Sequence, residues 1–203
     1  MVAAFWPVTN AQFVNLDDPT YVLDNLRVQS GLTVDNVKWA FTTFDGSLWQ
    51  PLTWLSIMLD CELFGVDAPA MHCVNLGFHV ANAVLLFLML KRLTRALWPS
   101  AIVAALFALH PLRVESVAWI AERKDVLSTF FWVLTMWSYA EYVQRRCAGW
   151  YIAGIVCFAL GLSGHRSLLG LMDHLCCSCH HVKAGRKASG TSATVKESAN
   201  PSA

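Results

Sequence analysis

Hydrophobic and polar positions along this chain fall into separate blocks. Residues 1–8 are mostly apolar, and residues 9–69 alternate polar turns with short apolar runs. Residues 70–90 then carry no charged side chain across 21 positions. At about 1.5 Å per residue such a helix reaches roughly 31 Å, enough to cross a bilayer. Lys91, Arg92 and Arg95 close it. Further apolar runs occupy 96–109, 126–143 and 147–162, the third of the four ending at Arg145 and Arg146. The run at 96–109 is short, with Pro99 near its start and Pro111 just past its end, so a tilted helix is expected. From Ser163 the composition turns to Ser, Ala, Gly, Lys and His, which reads as disordered.

Local signals place shorter helices between these blocks. Asp18 before Pro19 predicts an N-cap followed by Pro at the first helical position, with the helix ending near Gly31. Thr33 is expected to cap a second helix through Val34, Val37, Trp39 and Phe41. Pro51 opens a third through Leu52, Leu55, Ile57, Met58 and Leu59, stopping near Gly65. Trp39, Trp49 and Trp54 on these segments suit a membrane interface. Residues 1–8 are too short to span and read as the remnant of a span or an interfacial anchor. Pro111 is expected to open a helix that puts Val114, Val117, Ala118 and Ala121 on one face. Glu115 and Glu122 would then share its polar side, and Asp125 would cap the 126–143 run. The fold expected is all-α: a multi-pass transmembrane bundle of about four helices over 70–162. An acidic section with short amphipathic helices (1–69) precedes it, and a disordered tail (163–203) follows.

Charge changes the picture by fixing sides. Residues 9–69 carry eight acidic side chains against Arg27 and Lys38. The connector 110–125 carries six charges, Arg113, Glu115, Glu122, Arg123, Lys124 and Asp125, whose signs cancel. The basic clusters at 91–95 and 145–146 must share one face, and the positive-inside rule makes that face cytosolic. The acidic section and the connector therefore both face the other compartment. With 56% apolar residues and a net charge of +1, nothing points to nucleic acid. The seven cysteines form no zinc-finger spacing; Cys61 and Cys73 could pair in an oxidising compartment.

Three constellations could carry chemistry. Asp17 and Asp18 offer a carboxylate at a membrane surface, able to act as a general base. Capping accounts for Asp18 through Pro19, which leaves Asp17 as the stronger candidate. Arg123 and Lys124, with Arg113 nearby, suit a phosphate headgroup, as a planar fork beside a point charge; on these residues alone, a pairing among Glu122, Arg123, Lys124 and Asp125 is the favoured reading. His72, Asn75 and His79 share one helical stripe that His110 could join. Such groups usually hydrogen-bond between helices, and two histidines are too few for zinc, so no metal site is expected. The crowded tract Asp173, His174, Cys176, Cys177, Cys179, His180, His181 matches no metal spacing.

At these residues the chain resembles a known family. FVNLDDPTYVLDN, WQPLTWLSIMLDCELFG, HCVNLGFHVAN, ALFALHPLRVESVAWIAERKDVLS and FALGL occur in the order seen in transmembrane and tetratricopeptide-repeat proteins. These are GT-C-type glycosyltransferases related to protein O-mannosyltransferases, and the likeness covers roughly residues 11–162. It implies a polyprenyl-phosphate-linked sugar donor, often mannose, a protein hydroxyl acceptor and contact with membrane lipids. It also places the acidic pair Asp17 and Asp18 in the first external loop, where GT-C enzymes keep a catalytic carboxylate. On that plan Asp17 or Asp18 would deprotonate the acceptor, Arg123 and Lys124, with Arg113 nearby, would hold the donor phosphate, and Glu115 with His110 would orient groups at the catalytic site. Participation of a divalent cation stays open. The stub before Asp17, the break after Leu162 and the lack of helical repeats read as a truncation or shifted frame. A non-catalytic scaffold or an inactive fragment is the alternative. The motif wording favours a prokaryotic plasma membrane over an endoplasmic reticulum membrane.

Overall fold

The structure, a computed structural model, describes residues 2–45 and 49–164. The expected tail, with its Asp173–His181 tract, lies outside them apart from Ser163 and Gly164. The described residues are all-helical and contain no strand. Their α-helices are α1 (Val2–Phe5), α2 (Leu26–Gln29), α3 (Val34–Thr42), α4 (Pro51–Phe64), α5 (Ala68–Thr94), α6 (Leu97–Leu109), α7 (Arg113–Ala118), α8 (Arg123–Arg145) and α9 (Ala148–Leu162). Among them α5 alone is both long and apolar enough to cross a membrane, while α6 and α9 are shorter apolar helices.

Several boundaries follow from single side chains. Thr33 Oγ1 accepts the Asn36 N–H at 3.2 Å and starts α3. The Asp67 carboxylate accepts the Ala70 N–H at 3.2 Å and starts α5. Gly65, at φ 73°, ends α4 in a conformation that only glycine adopts cheaply.

Other boundaries differ from the sequence expectation. Asp18 makes no capping bond, and the single helix expected from Pro19 to Gly31 is split into a π-type turn, Pro19–Leu23, and α2. The split is held by Gln29, whose amide donates to the carbonyls of Val22 at 2.9 Å and Leu23 at 2.7 Å. The connector is also interrupted. α7 stops at Trp119, which is extended (φ −111°, ψ 121°), and a 3₁₀ turn, Ile120–Glu122, follows. The Trp119 carbonyl accepts both the Glu122 N–H of that turn at 3.2 Å and the Asn75 amide of α5 at 3.1 Å, which pins the break to α5. Glu115 and Glu122 therefore do not share one helical face, and α8 begins at Arg123 with Asp125 inside its first turn.

Tyr21, Val22, Val28, Trp54, Ile57, Met58, Met71, Ile120 and Ala121 bury one another in a core between the acidic section and the connector. Trp54 lies at its centre, stacked on Tyr21 at 4.8 Å and met edge-on by Trp39 at 5.3 Å. It is a core aromatic and not an interfacial one, because its whole surface is covered. α8 packs along both α5 and α9, and α5 along α6. Gly154 of α9 faces Ser138 and Thr135 of α8. Residues 2–8 pack on α5: Phe5 is buried, with its ring 5.3 Å from that of His79. Cys61 and Cys73 are free thiols, the first buried and the second exposed.

Gly31 joins α2 to α3 at φ +77°, and a Cβ there would lie 3.3 Å from Glu62. Glu62 is fixed in turn by the Leu32 N–H at 3.0 Å. Gly31→Ala is expected to lower stability by about 1–2 kcal/mol, read as a drop in melting temperature in detergent. An unchanged melting curve would show that the turn relaxes.

Candidate functional site

Asp18 joins two polar segments that lie far apart in the sequence, the acidic section and the connector. The residue is fully buried. Its Oδ2 accepts the Val14 N–H at 2.8 Å, and its Oδ1 accepts the Ala121 N–H at 3.0 Å from 103 residues away. Burial pushes its carboxyl above the ordinary range, while the two backbone bonds and nearby His72 oppose the rise. A folded-state pKa above the unfolded one means that the native state holds the proton to higher pH. The resulting stability is complete below the ordinary value of 3.8 and is lost as pH rises through the folded value. The stability difference between Asp18→Asn and the parent chain is therefore expected to shift in the variant's favour across that window. A flat difference in pH-dependent melts would contradict the assignment.

Asp17 is built differently. It is half-buried, and its carboxylate has no hydrogen-bond partner among the described residues. Its carbonyl accepts the Tyr21 N–H at 3.0 Å, which fixes the turn. The Tyr21 ring is also where the connector arrives, with Lys124 Nζ 5.8 Å from the ring centre. Lys124 pairs with Glu122 at 2.8 Å, and both side chains keep some exposure, 12% and 17%. The acidic turn thus runs by its backbone into Tyr21, whose ring the Lys124 of that pair approaches. A cavity of about 460 Å³ opens on the same loop, lined by Thr20, Asp24, Asn25, Arg27, Trp39 and Asp45.

Arg123 is not placed to receive a headgroup. It is completely buried, and all three guanidinium nitrogens are engaged. Nε donates to Asn75 Oδ1 at 2.7 Å, Nη2 to the Met71 carbonyl at 2.9 Å, and Nη1 to Ser56 Oγ at 3.3 Å and to the Asp60 carboxylate. This sequestration corrects the phosphate-binding expectation for Arg123, and the local pairing expected with Glu122 or Asp125 is replaced by Asp60. Burial pushes the Asp60 carboxyl up against the pull of Arg123. The neighbouring Cys61 thiol is pushed up to about 11, first by burial and then by Asp60.

The polar stripe of α5 is interhelical packing. His72, Asn75 and His79 are buried. His79 Nε2 lies 3.1 Å from the Ala108 carbonyl of α6. His72 sits beside the backbones of Gln12 and Val117 without a well-formed hydrogen bond to either. His110 does not join them; it is exposed, and its Nδ1 accepts the Leu112 N–H at 3.3 Å. Glu115 is exposed on α7, and Arg113 lies over the Phe107 ring at 4.6 Å. Among the described residues no three His, Cys, Asp or Glu side chains are grouped to hold a metal.

Sequence reasoning missed Asp60, Asn82 and Glu141. Asn82 donates to the Val126 carbonyl at 2.8 Å and ties α5 to α8. Asp60 was legible in principle, since positions 53, 54, 57, 58, 60 and 61 form the buried face of α4 and an acid on that stripe demands a partner.

The chain is 30% identical over 141 residues to the protein O-mannosyl-transferase Tmtc2 of Drosophila melanogaster, which covers 66% of this chain and 15% of that protein. It is 30% identical over 152 residues to protein O-mannosyl-transferase TMTC1 of Mus musculus, covering 68% and 16%. To TMTC3 of Mus musculus it is 28% identical over 154 residues, covering 70% and 16%. Over this stretch the chain belongs to the transmembrane and tetratricopeptide-repeat family that its motifs imply. It spans about one sixth of the length of these relatives. They are animal proteins, which gives the expected prokaryotic membrane no support. No family model matches the chain, and no solved structure matches it.

Proposed function

We propose that this chain is part of a GT-C-like, multi-pass membrane glycosyltransferase that moves a sugar, mannose in the assay below, from a polyprenyl phosphate to a protein Ser or Thr hydroxyl. In this reading residues 70–162 form the membrane bundle, with α6, α8 and α9 crossing beside α5. Residues 1–69 and the connector face the non-cytosolic compartment. Asp17 takes the acceptor proton. Lys124, released from Glu122 by the incoming anion, meets the donor phosphate, with Arg113 as a second cation. Glu115 and His110, both exposed on the connector, orient the acceptor. Arg123 acts from behind as a positioning residue, holding α4, α5 and the start of α8 together.

The observation that carries the reading is the Asp18–Ala121 bond, taken with the relatives' names: it fastens the carboxylate turn to the connector that holds Lys124 and Arg113. The test supplies labelled polyprenyl-phosphate mannose and a Ser/Thr-rich peptide to membranes containing the chain. Label on peptide hydroxyls above the level of empty membranes supports the reading, and none removes it. Sidedness is tested separately, with Cys73 and the tail cysteines replaced by serine. An impermeant maleimide on intact cells is expected to label Thr20→Cys and Glu115→Cys, and to reach Cys147 only after permeabilisation.

A further inference from the structure

We propose a second site, at the opposite end of α5 from Asp67, that binds the phosphate headgroup of an anionic membrane lipid. It rests on the membrane placement above but not on transferase activity. A cavity of about 500 Å³ lies there, lined by Leu88, Lys91, Arg92 and Arg95 at the end of α5, Leu97 of α6 and Trp137 of α8. Its size falls within the usual range of ligand cavities.

Three cations and no carboxylate line this space. Arg92 is partly neutralised, since its Nε donates to Glu141 at 2.8 Å. That buried carboxylate is shared, because it also accepts Arg145 Nε at 2.6 Å. Lys91 and Arg95 have no acidic partner within ion-pair distance among the described residues. Basic residues at a helix C-terminus complement its dipole, which explains the charge. It does not explain a cavity that pairs the charge with an apolar wall. Leu88, Leu97 and Trp137 give a surface suited to a glycerol backbone and the upper acyl chain, with the indole at interfacial depth. Arginine and lysine together suit a phosphate, as fork and point charge. Positive-inside counting puts this end at the cytosolic leaflet, where anionic lipids concentrate.

The test uses the whole chain in detergent, with native mass spectrometry reading lipid retention. Phosphatidylglycerol, phosphatidylcholine and inorganic phosphate are the probes. Phosphatidylglycerol is expected to be retained roughly tenfold better than phosphatidylcholine, and Lys91→Gln/Arg95→Gln is expected to lose that preference. Arg27→Gln/Lys38→Gln removes the same charge on the other side and is expected to keep it. If the double variant does not fold, exposed Arg95→Gln alone is expected to weaken retention several-fold. Equal retention of both lipids, or equal loss in both double variants, overturns the site. Inorganic phosphate competing as well as phosphatidylglycerol would make it a free-anion site and overturn the lipid assignment.

Discussion

Replacing Arg123 by methionine is expected to destabilise the chain by about 3–5 kcal/mol, because it leaves the Asp60 carboxylate buried and unpaired. Asp60 is 4% exposed and Arg123 fully covered, so water cannot take over the lost interaction. Asn75 Oδ1 and the Met71 carbonyl lose their donor as well. A net stability of some 5–15 kcal/mol would barely survive such a loss. Asp60→Leu alone is expected to be nearly as harmful, since it strands the guanidinium. The double variant should recover part of the loss, and a double-mutant cycle should give a coupling of about 0.5–3 kcal/mol. Thermal melts in detergent check this. If Arg123→Met melts like the parent chain while donor binding disappears, the residue is a headgroup ligand after all.

How much of this was legible depended on whether a local rule or a distant partner decided the outcome. Thr33, Pro51 and Gly65 acted through rules confined to a few residues, and the helices they bound were readable. So was the long apolar run of α5, because its length alone carries the signal. Asp18 was misread: the Asp-Pro pair is a genuine start signal, yet the carboxylate reaches Val14 and Ala121 instead of its own helix. No pattern in the sequence marks Ala121 as its partner. Arg123 failed for a related reason. Beside Glu122, Lys124 and Asp125 it resembled part of a solvated cluster, but α8 begins at that residue and turns it inward toward Asp60. Trp54 likewise needed Tyr21 and Trp39, both distant in sequence, to be recognised as core.

Asp17→Asn is expected to lower sugar transfer by about 10²–10⁴-fold while leaving the melting temperature unchanged. The reason lies in the contrast between adjacent carboxylates. Asp17 is half-buried with an unengaged carboxylate among the described residues, so an amide there removes basicity and no fold contact. Asp18 has both oxygens committed to backbone N–H groups on two segments. Its amide has one acceptor for two donors, so Asp18→Asn is expected to lower stability by about 1–3 kcal/mol. Any loss of transfer should then follow the loss of folded protein. Asp17→Glu provides the control: it restores a carboxylate one methylene further out and should recover part of the rate. Assay at matched amounts of folded protein separates the two residues. Full transfer by Asp17→Asn would move the base elsewhere, and a large rate loss in properly folded Asp18→Asn would move it by one position.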